Sequence, residues 1–154
     1  MVAVHIEETV YRNAAEVLAL IRDFKFCTLP REQWTHRAHL TVALWHQLRY
    51  PWPEAVELMR DGIKRYNDAH GIVQTKESGY HETMTLFWMR LVREYLKRAA
   101  SGKRCSLASL ANELVASHPK NLPLVYYSRE RLMSWEARER WVAPDLLPLA
   151  TDGD

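Results

Sequence analysis

Two short segments of this chain carry histidines at spacings that suggest chemistry: Trp34-Thr35-His36-Arg37-Ala38-His39-Leu40 and Gly79-Tyr80-His81-Glu82-Thr83-Met84-Thr85. Neutral imidazole ligates borderline divalent metals, accepts hydrogen bonds and titrates near neutrality. On a helix turning about 100° per residue, His36 and His39 fall within roughly 60° of each other. Leu40 and Ala43 share that face, so the pair looks inward while Arg37 points elsewhere. By the same geometry His81 lies within about 20° of Trp88 and Val92, at the head of an apolar stripe, with Thr85 one turn on.

Three imidazoles from two helices suit a divalent ion (Zn, Fe, Ni, Mn or Cu) with a position left open for water or substrate. Hydrolysis at a metal-bound water, or oxygen chemistry at iron, would both use such a site. Glu82, beside His81, is the candidate fourth ligand or general base, and Glu32 a weaker one. Trp34, Tyr80, Thr85 and Trp88 are candidate walls of the same site. Farther on, Tyr126 and Arg129, with Tyr127 and Arg131, are candidates for holding an anionic or carboxylate-bearing ligand.

The H-x-x-H spacing is common, and it lacks the internal Glu of the H-E-x-x-H zinc motif, so a metalloprotease is not indicated. A helix cap or a hydrogen bond to a neighbour would explain any single histidine. A second reading therefore stands beside the first. It is a non-enzymatic helical module whose histidines hydrogen-bond a small organic ligand, or whose face binds a protein partner. His46 reads as core or pocket wall; His5, His70 and His118 read as surface or boundary residues.

The elements that must position these residues are helices. Asn13 is the expected cap of a first helix with Val17, Leu20, Ile21 and Phe24 inside. Leu29-Pro30 interrupts it, and Pro30 allows a short turn before a second helix capped by Thr35 and ending near Tyr50. A third helix has Pro53 at its first position, Val56, Met59, Ile63 and Tyr66 inside, and Gly71 at its end. After a polar loop over 71–80, the spacing predicts a fourth helix from about His81 to Ala100, stopped by Ser101-Gly102. Met84, Phe87, Trp88, Leu91, Val92 and Tyr95 form its inner face. Ser106 caps a shorter helix ending at His118-Pro119. One or two short helices, the second capped by Ser134, and an extended tail complete the chain. The expectation is one all-α domain over residues 1–154, a four-helix bundle-like core with short C-terminal helices. Short connections make consecutive helices antiparallel, so the second and fourth begin at the same end, and His36, His39 and His81 should converge there.

The bulk properties exclude several classes. The formal charge is +2, from 21 Lys and Arg against 19 Asp and Glu, which gives no broad footprint for nucleic acid or an anionic membrane. Lys103 and Arg104 read as solvated loop charge. No apolar run approaches the roughly 20 residues of a membrane span. His5, Glu7 and Glu8 within the first ten residues are unlike a signal peptide, so a cytoplasmic location is expected. Cys27 and Cys105 stand in no metal or redox spacing, and reduced, partly buried thiols are favoured over one disulfide. Gly-rich phosphate loops, a G-x-S-x-G elbow and a Cys-His-Asn series are all missing from the sequence. Trp and Leu on the C-terminal segment leave room for a homodimer.

The segments W-T-H-R-A-H-L, G-Y-H-E-T-M-T and Y-Y-S-R-E-R-L-M-S…A-P-D-L-L-P-L, in this order over about residues 20 to 149, resemble an uncharacterised family of small bacterial helical proteins. The resemblance implies that His36, His39 and His81, with Glu82 beside them, recur together in that family. It brings no activity or cofactor with it.

Overall fold

The structure, a computed structural model, describes residues 10–99 and 105–149. His5, most of the ambiguous stretch 2–12, the helix stop at Ala100 to Gly102, and Lys103 and Arg104 lie outside the described residues. Among the described residues every regular element is helical. Helices α1 (Ala14–Lys25), α2 (His36–Arg49), α3 (Trp52–Ala69), α4 (Glu82–Ala99) and α5 (Leu107–Ser117) form the body. Short helices α6 (Pro123–Tyr126), α7 (Arg129–Leu132) and α8 (Trp135–Glu139) follow. A single 3-10 turn, Arg31–Gln33, precedes α2.

Local chemistry sets these boundaries. The side chains of Asn13, Thr35, Ser106 and Ser134 each accept a hydrogen bond from the amide three residues on, satisfying a donor that the first turn leaves orphaned. Ser128 caps α7 in the same way, so the C-terminal segment holds three short helices rather than one or two. Helix α3 starts one residue earlier than the Pro53 signal suggests, at Trp52. It ends at Ala69, and Gly71 takes the left-handed φ of 66° that terminates a helix. Helix α4 begins at Glu82, which puts His81 at the cap position rather than inside the first turn.

Helix α2 lies at the centre, packed against α1, α3, α4 and α5. Ala38 and Leu40 through Leu44 are all buried, an apolar girdle that a helix shows when neighbours surround it. The inner stripe of α3, Val56, Met59, Ile63 and Tyr66, is buried as its periodicity indicates. Helix α4 serves two cores. Met89, Val92 and Tyr95 join the main one, while Phe87 enters a second with Tyr127, Leu132, Ala137 and Val142 from the C-terminal arm. No helix of the described residues is long and apolar enough to cross a membrane. Both thiols are free; Cys27 is half-buried, whereas Cys105 is exposed rather than partly buried.

Candidate functional site

The first turns of α2 and α4 border one cavity of about 390 Å³. Thr35, His36 and His39 contribute to its wall from α2, and His81, Met84, Thr85 and Trp88 from α4. The third side is α3, through Met59, Ile63 and Asn67, closed by Ile72 and Tyr80 of the 71–80 loop. The three histidines of the sequence motifs therefore share one chamber, at the end of the bundle where the two helices start.

His39 is the most strongly perturbed of them. Its Nδ1–H donates to the Thr35 carbonyl at 2.8 Å, a bond back along its own helix. Its ring packs against Trp34, centroids 3.7 Å apart, and Trp34 in turn stacks on Phe24 at 4.6 Å. Loss of water around the ring is the main cause that pulls its pKa from 6.5 down to about 4, and the nearby His36 and Lys120 push the same way. At neutral pH the ring is uncharged, and Nε2 carries a lone pair with no partner among the described residues.

His36 and His81 are tied to backbone far along the chain. The Nε2–H of His36 donates to the His118 carbonyl at 2.7 Å, leaving Nδ1 as its unpartnered ring atom, and its ring lies 4.8 Å from that of Trp88. His81 is committed at both nitrogens. Nε2–H donates to the Leu132 carbonyl at 2.7 Å, and Nδ1 accepts the Met84 amide at 3.1 Å, a side-chain cap of α4. Burial holds this imidazole below its ordinary pKa, consistent with the neutral form that such bonding needs.

Among the described residues, no group of three or more His, Cys, Asp or Glu is arranged to hold a metal ion. Two ring nitrogens remain available at the cavity, on His36 and His39. A three-imidazole set would require His81 to give up the Leu132 carbonyl or the Met84 amide.

Glu82 faces another way. Its carboxylate receives Arg60 Nε at 3.0 and 3.1 Å, Arg60 Nη2 at 2.9 Å, and the Tyr80 hydroxyl at 2.9 Å. It lines an adjoining groove with Lys64, Gln74 and Arg138 rather than the cavity itself. Burial is the main cause raising the Tyr80 pKa, and the Glu82 carboxylate adds to it, so this phenol stays protonated as a donor. Tyr126 packs on Phe87 in the second core, and Arg129 is exposed beside Met133 and Trp135; neither lines the cavity. His46 is buried and donates Nδ1–H to the Val42 carbonyl at 2.7 Å. His118, expected at a boundary, is buried, with its carbonyl serving His36. His70 is half-buried; it stacks on Tyr66 and meets the Cys27 carbonyl at 3.0 Å.

Sequence reasoning placed Met59 and Ile63 in the core without assigning them to a wall, and passed over Asn67 and Lys120. A lone Asn near a helix end has no distinguishing pattern. The only available signal was its position four residues after Ile63, on the same helical face. Compared with protein-family models, with curated proteins and with solved structures, the chain matches none.

Proposed function

We propose that this protein binds a small, planar, largely apolar organic molecule that donates a hydrogen bond to the imidazoles of His39 and His36. The carrying observation is the pair of unpartnered ring nitrogens, His39 Nε2 and His36 Nδ1, set in a wall whose apolar part is built mainly of Trp, Met and Ile. A chamber of about 390 Å³ falls in the range of small-molecule sites, which are mostly apolar with a few placed polar groups. The commitment of Glu82 to Arg60 and Tyr80 favours binding over acid–base catalysis. On the sequence grounds given above, we place the protein in the cytoplasm, with a small molecule rather than nucleic acid or membrane as its partner.

Calorimetric titration with indole, a planar N–H donor, tests the reading. The expected outcome is saturable binding of one indole per chain, weakened roughly tenfold in His39→Phe, which preserves the ring on Trp34 but removes the acceptor. No saturable binding, or equal affinity in the variant, would sink it.

A metal ion (Zn, Fe, Ni, Mn or Cu) held by the same two nitrogens is the second reading, favoured by the neutral state of His39. Stoichiometric zinc uptake that disappears in His36→Ala/His39→Ala, alongside no affinity for indole, would establish it over the first.

A further inference from the structure

We infer that Asn67 selects a ligand with a lactam edge, an N–H beside a C=O in a planar ring, as the molecule the cavity takes. This inference rests on the cavity reading and names its ligand class. Asn67 is only 9% exposed and lies on α3 between the cavity and the adjoining groove, lining both. Its backbone is satisfied, since its carbonyl accepts the Ile72 amide at 2.9 Å. Its side-chain amide has no hydrogen-bond partner among the described residues. A carboxamide brings two N–H donors and a carbonyl acceptor; those of Asn67 are not sealed in the core but open on the cavity and groove, where a ligand can reach them.

A second carboxamide, Gln74 in the adjoining groove, shows what such a group does when it is engaged. Gln74 Nε2 donates to the Tyr80 carbonyl at 2.9 Å, while Gln74 Oε1 accepts the Tyr80 amide at 2.8 Å. One side chain thus meets both the backbone N–H donor and the carbonyl acceptor of a single residue. Asn67, in the cavity wall, offers the same complementary pair, with no partner for it among the described residues.

The rest of the polar lining agrees in sign. His39 Nε2 and His36 Nδ1 call for a donor, not for negative charge. Lys120 is the cation at this site, and it is exposed, so a buried carboxylate or phosphate would face imidazole lone pairs without a buried counter-charge. A neutral ring with one N–H and one C=O on its edge meets these groups together, and its faces suit the Trp and Met walls.

The test compares three probes by calorimetry: carbostyril (a bicyclic lactam), its N-methyl derivative (the donor blocked), and indole (a donor without the carbonyl). Wild-type protein should prefer carbostyril to N-methylcarbostyril by roughly tenfold or more, because the wrong edge leaves buried polar groups unpaired. Asn67→Leu, close in size but without the amide, should bring carbostyril down to the affinity of indole, because the ring N–H keeps its imidazole acceptor while the ring carbonyl loses its donor. Asn67→Asp, which keeps an acceptor and loses the donors, provides a second variant should the leucine form fold poorly. It should weaken carbostyril more than indole. Indole binding with no lactam preference, or a preference for carbostyril over indole that survives both variants, overturns the inference and leaves the cavity reading standing. Failure of every probe on wild-type protein overturns both.

Discussion

At the scale of single residues, the decisive facts are which ring and carboxylate atoms are already engaged. His36, His39 and His81 do meet around one cavity, and that much was legible, because helical spacing and antiparallel connectivity both pointed to it. The partners of their nitrogens were not legible. The carbonyls of His118 and Leu132 are 82 and 51 residues away from the histidines they hold, and no local pattern announces such a bond. Glu82 was read as a ligand or base from its place next to His81, yet the side chain extends to Arg60 across the groove. Its side chain is 13% exposed and that of Arg60 22%, so breaking the pair should be felt. Replacing Glu82 with Gln is expected to lower stability by about 1–3 kcal/mol in urea unfolding while indole affinity stays within about twofold. A large drop in affinity with unchanged stability would instead return Glu82 to the site.

At the scale of elements, the loop over 71–80 is the part of the cavity most dependent on backbone geometry. Gly71 and Gly79 both have positive φ, 66° and 93°, but their surroundings differ. A Cβ on Gly71 would meet nothing within 4 Å, whereas on Gly79 it would stand 2.9 Å from the Gln74 Cα and strike the Gln74 amide. Gly71→Ala should therefore cost about 1 kcal/mol, from the backbone conformation alone. Gly79→Ala should cost roughly 3 kcal/mol and also weaken indole, since it displaces the side chain that holds Tyr80 in place. Equal losses in thermal unfolding for the two variants would contradict this account. The helices themselves were readable from caps and periodicity, as Asn13, Thr35, Ser106 and Ser134 show. The split of α4 between two cores was not. Its apolar face reads as one stripe, and only the arm folding back over Phe87 divides it. The same fold-back explains why Tyr126 and Arg129 sit apart from the cavity.

At the scale of the whole molecule, burial of neutral histidines makes stability depend on pH in a definite direction. In the unfolded chain His39 takes up a proton near 6.5, but in the folded state only near 4. Between those values the unfolded state holds more protons, so acid favours unfolding. The contribution is fully present above about pH 6.5 and is lost as pH falls to about 4. His46, His81 and His118 are also lowered by burial and act with the same sign. For the half-buried His39, the loss is on the order of 2 kcal/mol, discounted from about 1.36 kcal/mol per pH unit. Urea midpoints compared at about pH 7 and about pH 4.5 should fall for wild-type protein, and fall less for His39→Phe. Identical acid sensitivity in both proteins would show that His39 is not held neutral by the fold.

Apart from the Val142 amide, which donates to Thr83 Oγ1 at 3.2 Å, the hydrogen bonds that join the C-terminal arm to the 76–83 segment share one property. Arg138 donates to the carbonyls of Lys76 and Gly79 at 3.0 and 3.1 Å, Thr83 to that of Arg140 at 2.8 Å, and His81 to that of Leu132. Every acceptor is main chain. Side chains at Lys76 or Arg140 can therefore be exchanged without removing a hydrogen-bond anchor, because the carbonyl remains whatever residue occupies the position, whereas Leu132 also packs in the second core. The side-chain half of these hydrogen bonds belongs to Arg138, Thr83 and His81, which are the polar handles for loosening the arm beside the apolar packing of Phe87 on Tyr127 and Leu132.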